Sequence, residues 1–241
     1  MNSLFFAAGA DHFTIFTTFF RLHEKFLHVA TSALITFFLV TLALHLHRTY
    51  KATPDPLIPD ARFSLRNVFE VTIERLFLFF QGFLGKEAVH HFPLLATIFF
   101  FILTSNLLGM VPGFTPPTDN VSTNFAISLT VFAWYNYHGV KSQGLKNYIL
   151  HFGAGLKNPF FFTLIFCIEI IGHLVRPVSL SLRLAGNMQG DHKVLEIFSG
   201  LTPFFIPIVF MALGFLVSVL QAFVFTFLST IYIAMSAEHD H

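Results

Sequence analysis

The stretch Arg176-Pro-Val-Ser-Leu-Ser-Leu-Arg-Leu-Ala-Gly-Asn-Met-Gln-Gly-Asp-His192 places an arginine, Arg183, inside a long, helix-like apolar run. A cation at the centre of a bilayer costs about 2.5–3.5 kcal/mol on insertion scales, so it persists only beside a partner or water. An arginine in this position therefore indicates a functional site within a membrane helix.

The polar residues around Arg183 share one side of the predicted helix. Steps of three or four residues connect Glu169, His173, Arg176, Leu180, Arg183 and Asn187, whereas Ile165, Ile168, Val175 and Leu182 lie opposite. A polar stripe on a lipid-length helix predicts a water-filled crevice or a partner of complementary charge. The alternative is a structural ion pair of Glu169 with Arg176 or Arg183 that only ties helices together.

The composition is that of an integral membrane protein. Of 241 residues, 54% are hydrophobic and only 11% are charged, whereas a soluble domain has about 25% charged residues. The net charge of +1 excludes no class of partner, but no basic run indicates nucleic acid. The single cysteine, Cys167, excludes a disulfide framework and a thiolate metal site.

The apolar runs predict an all-α fold forming a single membrane domain over residues 1–241. About 20 apolar residues cross a hydrocarbon core of about 30 Å, and longer helices fit by tilting. We expect a lead-in over 1–26, a first span over 27–48, an amphipathic surface helix over 60–86, a second span over 91–110, a third span over 120–137, and a tilted hairpin over 159–200 and 207–236.

The loop charges predict one orientation. Six Lys and Arg residues lie from Arg48, at the end of the first span, to the start of the second span, none lies between the second and third, and three lie between the third span and the hairpin. Because cationic loops stay on the cytoplasmic side, the N-terminus is expected outside and the C-terminus inside. This arrangement gives about five membrane passes.

Titratable residues cluster at both ends of the first hairpin helix. Asp191, His192 and Glu196 lie toward the outer end, and Glu169 and His173 lie toward the inner end. Imidazoles beside carboxylates suit proton relays, so the pattern indicates two access paths separated by Arg183. The alternative for the outer histidine is a merely interfacial position. In the second hairpin helix, Gln221 is an amide able to hold the guanidinium by a hydrogen bond.

Two motifs resemble subunit a of the F-type ATP synthases. They are Ser179-Leu-Ser-Leu-Arg-Leu-Ala-Gly-Asn-Met188, followed by Gly190 and His192, and Leu220-Gln-Ala-Phe-Val-Phe225 in the last helix. The resemblance covers about residues 60–237, including Ser105-Asn-Leu-Leu-Gly109.

The resemblance implies that Arg183 faces a rotating ring of c subunits and separates two proton half-channels. Asn187 and Gln221 match the family's asparagine and glutamine, and Glu169 matches a carboxylate on the inner path. The implied protein is non-catalytic and has no cofactor or metal. Its implied partners are the c ring, b-type peripheral stalk subunits and membrane lipid. A bacterial inner membrane is favoured over a mitochondrial inner membrane, and protons are favoured over sodium.

The sequence departs from the family pattern at the outer path. His192 stands where many bacterial members carry a glutamate, and Gly214 stands where several carry a complementary histidine. The partner of His192 is therefore open, with Asp191 and Glu196 as the local candidates.

Two other classes of protein compete with this interpretation. The 13 histidines suit a membrane metalloenzyme or a haem carrier, but those proteins need clustered histidine boxes. The pairs His23/His28, His45/His47, His90/His91 and His239/His241 lack that spacing. A secondary carrier or simple channel that uses Arg183 as a gate would transport ions without a partner ring.

Overall fold

The computed structural model describes residues 26–52, 65–111, 114–145, 148–149, 159–201 and 205–237, although a few side chains near the hairpin turn, including that of Glu196, lie outside the description. The α-helices of this part are α1 (Leu27–Ala52), α2 (Leu65–Leu84), α3 (Ala88–Gly109), α4 (Val121–Gln143), α5 (Pro159–Leu201) and α6 (Phe205–Ala237). Short 3-10 turns cover Gly85–Glu87 and Pro117–Asp119. The all-α expectation is confirmed, whereas the lead-in before Phe26 lies outside the described residues.

The number of candidate spans is smaller than the sequence suggested. Among the described residues, four stretches are long and apolar enough to cross a membrane, namely Leu27–Lys51, Arg66–Gly109, Phe160–Leu195 and Ile208–Ser236. The expected third span, now α4, is not among them, so this criterion gives four candidate spans rather than five. Helix α4 carries many polar residues, and two of them, Asn124 and Ser128, are buried within the protein.

Helix α2 doubles back against α3. Phe77 contacts Phe92, with ring centroids 5.1 Å apart, and Phe69 contacts Phe100 at 5.6 Å, as expected for antiparallel neighbours. The chain reverses at Gly85, whose φ of 57° is left-handed and favours glycine. The placement of α2 along the membrane surface stays a prediction.

The apolar core lies where α2, α3, α4, α5 and α6 meet. Buried residues recur at helical spacing on these elements: Leu76, Phe80 and Leu84 on α2, Leu95, Ile98, Phe99 and Ile102 on α3, Val131 and Tyr135 on α4, Leu180, Leu184 and Met188 on α5, and Ala222, Phe225 and Ile233 on α6. Because one face of α5 packs into this core, its remaining faces are left for exposed side chains.

The hairpin helices are much longer than a perpendicular crossing requires. Helix α5 has 43 residues and α6 has 33, about 65 and 50 Å at 1.5 Å per residue. Stacked rings of Phe198 and Phe210, with centroids 4.6 Å apart, hold the two helices together near the turn. The tilt of the hairpin stays a prediction, because no bilayer is present.

Candidate functional site

Arg183 is exposed on α5, although its neighbours Leu180 and Leu184 are buried in the core. Within the described part of the chain, the Arg183 guanidinium has no ion pair and no hydrogen bond. The ion pair of the structural alternative exists, but it is made by Arg176. Arg183 thus carries a positive charge that no described residue neutralises.

The amides expected near Arg183 bond to each other. Asn187 donates from Nδ2 to Oε1 of Gln221 at 2.9 Å, which joins α5 to α6. Gln221 is buried, whereas Asn187 is exposed. The hydrogen bond expected between Gln221 and the guanidinium is therefore replaced by one to Asn187, which lies one turn beyond Arg183 on the same face of α5.

The inner end of α5 holds an ion pair. Nη2 of Arg176 lies 3.8 Å from Oε1 of Glu169, with the two side chains 21% and 47% exposed. The guanidinium also stacks over the Tyr232 ring of α6, 5.1 Å from its centroid, a favourable cation–π position. Glu169 is therefore half-exposed and paired with a cation of its own helix.

His173 is buried and connects α5 to α4. Its Nε2 lies 2.9 Å from Oδ1 of Asn136 and 3.4 Å from the Tyr135 hydroxyl. Because Nδ2 of Asn136 donates to the Phe132 carbonyl, Oδ1 is the acceptor and His173 is the donor. An amide oxygen cannot pass a proton onward, so this geometry favours an anchor rather than the relay expected from the sequence.

The same amide oxygen of Asn136 receives a second hydrogen bond. The Tyr148 hydroxyl donates to it at 2.8 Å. Burial raises the pKa of the Tyr148 phenol above its ordinary value, which keeps the hydroxyl protonated at neutral pH. Side chains of α4, of α5 and of the segment that contains Tyr148 are therefore joined by direct contacts around Asn136.

A small cavity of about 30 Å³ lies at the outer end of α5, enough for a water molecule, which needs about 10–15 Å³. His192, Asp191, Asn106, Gly109 and Gly214 are among its lining residues. A Cβ atom built on Gly214 would meet no heavy atom within 4 Å. Gly214, which the resemblance aligns with a histidine of other members, thus leaves open space beside the cavity.

The partner of His192 is a backbone group. Nε2 of His192 lies 3.2 Å from the Gly109 carbonyl oxygen, and because a carbonyl only accepts, the ring nitrogen donates. Neither sequence candidate supplies this contact. Asp191 lines the same cavity, and the side chain of Glu196 lies outside the described part of the structure.

A buried polar chain next to this cavity was not predicted. Thr118 donates to Oδ1 of Asn106 at 2.8 Å, Asn106 donates to the Ser218 carbonyl at 3.4 Å, and Asn124 donates to the Thr118 carbonyl at 2.7 Å. The available signal was an amide in the apolar run ending Thr104-Ser-Asn106, because polar residues at membrane depth are costly and often functional.

Three histidines pack around the only tryptophan on the inner side of α3 and α4. His91 and His138 have ring centroids 4.8 Å apart, and Trp134 donates from Nε1 to Nδ1 of His91 at 3.0 Å. His90 stacks on the same tryptophan. No group of three or more His, Cys, Asp or Glu side chains within the described ranges is arranged to hold a metal ion.

Comparison with known sequences decides the family. Residues 26–234 match the family described as ATP synthase A chain. The chain belongs to the ATP synthase A chain family. The resemblance seen in the Arg183 and Gln221 motifs is thereby confirmed, and the metalloenzyme and carrier interpretations are set aside.

Bacterial relatives match over nearly their whole length. ATP synthase subunit a of Bdellovibrio bacteriovorus is 42% identical over 218 residues, covering 90% of this chain and 94% of the relative. ATP synthase subunit a 1 of Syntrophotalea carbinolica is 42% identical over 240 residues, covering 99% and 98%. The subunit of Geobacter sulfurreducens is 39% identical over 238 residues, covering 95% and 99%. Family membership and the apolar helices place the chain in ATP synthesis and proton transport, as a multi-pass protein of the membrane-embedded Fo sector.

Proposed function

We propose that the chain is the stator subunit that carries protons to and from the carboxylate of a rotating c ring, with Arg183 separating two aqueous half-channels. The observation that carries this proposal is the Arg183 guanidinium, which is exposed and has no partner among the described residues. Large apolar side chains are exposed elsewhere along α5, including Val175, Val178 and Leu182, so that much of this helix surface suits lipid or a protein partner. A cation in such surroundings needs a carboxylate from another protein.

Arg183 acts as a barrier because it does not release its proton. A guanidinium stays charged at all physiological pH values, so protons cannot pass through it from one path to the other. An adjacent cation also favours the ionised form of a carboxyl group. A protonated ring carboxyl that reaches Arg183 therefore releases its proton to the inner path.

The outer path runs through the cavity beside His192. Asp191, His192 and Asn106 line space for water, and Glu196 remains a candidate one turn away along the helix. A proton from this side neutralises a ring carboxylate, which can then face lipid. A unit charge that crosses the membrane yields about 2.3 kcal/mol per 100 mV, and this energy drives rotation.

The inner path runs past Glu169, held by Arg176. Half of the Glu169 side chain is exposed, which suits a group that exchanges protons with water. His173 anchors the wall of this path through Asn136. Asn187 and Gln221 fix α5 to α6 next to Arg183, so that the guanidinium stays in register with the ring.

The remaining assignments follow from this role. The chain makes and breaks no covalent bond and needs no cofactor, and its partners are the c ring, b-type peripheral stalk subunits and lipid. The bacterial relatives favour a bacterial plasma membrane over the mitochondrial inner membrane. Protons are favoured over sodium because the paths contain His and carboxylates.

Arg183→Ala in the assembled complex tests the proposal. ATP-driven proton pumping by inverted membrane vesicles is expected to be lost, while assembly and ATP hydrolysis by the catalytic sector remain. The control is Arg75→Ala, which removes an exposed cation from α2 and should leave pumping unchanged. Normal pumping by Arg183→Ala would contradict the proposed barrier.

A further inference from the structure

A large apolar cavity lies between α1 and the helices α2, α3 and α4. It has a volume of about 640 Å³, and its lining includes Leu39 and Leu46 of α1, Ile73 of α2, Phe101 of α3 and Ile127 of α4. We call it the α1 cavity. The site described above does not use it.

The wall of the α1 cavity offers little to a polar ligand. The polar side chains among its described lining residues are Thr36, Thr97 and Thr130. Each hydroxyl donates to a backbone carbonyl of its own helix, at 2.8, 2.7 and 2.8 Å respectively. Because these hydroxyl hydrogens are already bonded and the other lining side chains are apolar, an apolar occupant is favoured over water.

The length of the α1 cavity matches one leaflet of a bilayer. Its lining on α1 extends from Thr36 to Leu46, which is about 15 Å at 1.5 Å per residue. The hydrocarbon core of a bilayer is about 30 Å thick, so one leaflet contributes half of it. A membrane-spanning helix of another subunit would need a groove of about twice this length. The dimensions therefore favour a lipid acyl chain.

Cationic groups lie at one end of the α1 cavity. One helical turn beyond the lining residues, the same faces of α1 and α2 carry Tyr50 and Arg66. The Arg66 guanidinium lies over the Tyr50 ring, 5.1 Å from its centroid, and its Nε is 3.9 Å from Oε2 of Glu70, a loose ion pair. Lys51 follows in the last turn of α1 and is exposed. A guanidinium, a phenol hydroxyl and an ammonium group are suitable donors to a phosphate.

We propose that the α1 cavity binds an anionic phospholipid, with its acyl chain in the cavity and its phosphate at Arg66, Tyr50 and Lys51. The loop charges assign this end of α1 to the inner side, and basic pockets between membrane helices on that side suit anionic headgroups. The bound lipid fills the space between α1 and the other helices. The proposal requires a membrane location, but it does not depend on the role of Arg183.

Lipid titration of the purified full chain tests the headgroup site. Native mass spectrometry counts bound phosphatidylglycerol and phosphatidylcholine that have the same acyl chains. Each cation should contribute about a fivefold preference for phosphatidylglycerol, so Arg66→Gln and Lys51→Gln should each lower the preference by that factor. The matched control is Arg75→Gln, which removes an exposed cation of α2 outside the described lining and should leave the preference unchanged.

Two further variants test the acyl chain. Ala96→Phe places a ring in the cavity wall and should abolish retention of one lipid. The matched control is Ala133→Phe, at an exposed position of α4 that is not among the lining residues, and it should retain the lipid. In the assembled complex, a photoreactive benzoylphenylalanine in place of Leu39 should crosslink to phospholipid.

Three results would overturn the lipid site. The first is equal affinity of the wild type for the two lipids, or a preference that survives in Lys51→Gln as well as in Arg66→Gln. Because Lys51 is exposed at a helix end, its variant keeps the test valid if Arg66→Gln impairs folding. The second is unchanged lipid retention by Ala96→Phe. The third is a crosslink from position 39 to another subunit, which would show that a protein helix occupies the cavity.

Discussion

The two ends of α5 carry similar residues in different surroundings. At the inner end, Arg176 holds Glu169, and the His173 imidazole donates to the Asn136 amide. At the outer end, His192 donates to a backbone carbonyl of the described part of the chain and lines a cavity together with Asp191. These contacts suit different roles, because a side chain tied to another side chain has a fixed position, whereas one beside a cavity is accessible to water.

Among the changes considered at the two ends of α5, filling the outer cavity should have the largest effect on proton pumping. Gly214→Leu places a side chain where a Cβ meets open space, so the fold should persist while water is displaced. We expect loss of nearly all ATP-driven proton pumping in inverted vesicles. Gly82→Leu is the matched control, because its Cβ on α2 also meets nothing. Equal pumping by the two variants would contradict a water-filled outer path.

Removal of the inner anchor should lower stability rather than transport. His173→Leu leaves Oδ1 of Asn136 with only the Tyr148 hydroxyl of the two donors described above. The lost contact should cost about 1–3 kcal/mol of stability, measured by thermal denaturation of the purified complex. Pumping per assembled complex should stay near the wild-type rate. His173→Gln retains a donor and should recover part of the stability. A loss of pumping in both variants at normal assembly would restore the relay interpretation of His173.

Breaking the inner ion pair should have the smallest effect on stability. Arg176→Gln removes a pair whose carboxylate is 47% exposed, and exposed pairs contribute about 0–1 kcal/mol. The midpoint of thermal denaturation should therefore shift less than in His173→Leu, while Tyr232→Leu tests the stacking separately. If the denaturation midpoint shifted more for Arg176→Gln than for His173→Leu, Arg176 rather than His173 would be the main anchor of this end of α5.

Local sequence patterns determined the helices and the central cation. The apolar runs of α5 and α6 predicted helices over 159–200 and 207–236, and the observed bounds are Pro159–Leu201 and Phe205–Ala237. Arg183 was evident because one charge in an apolar run is recognisable without knowledge of any neighbour. The polar α4 was harder to classify, because its buried Asn124 and Ser128 lower the apolarity of a helix that packs against protein.

Only the tertiary structure decided which groups meet. His192 contacts a carbonyl 83 positions away, Asn187 contacts Gln221 across 34 positions, and His173 contacts Asn136 across 37. The periodicity of one helix gives its faces but not the helix that packs on each face, because packing depends on the shapes of all the elements together. For the same reason, the sequence determined that this chain holds an arginine in an apolar helix with titratable groups on both sides, whereas the fold decided which of these groups contact other side chains and which line a cavity.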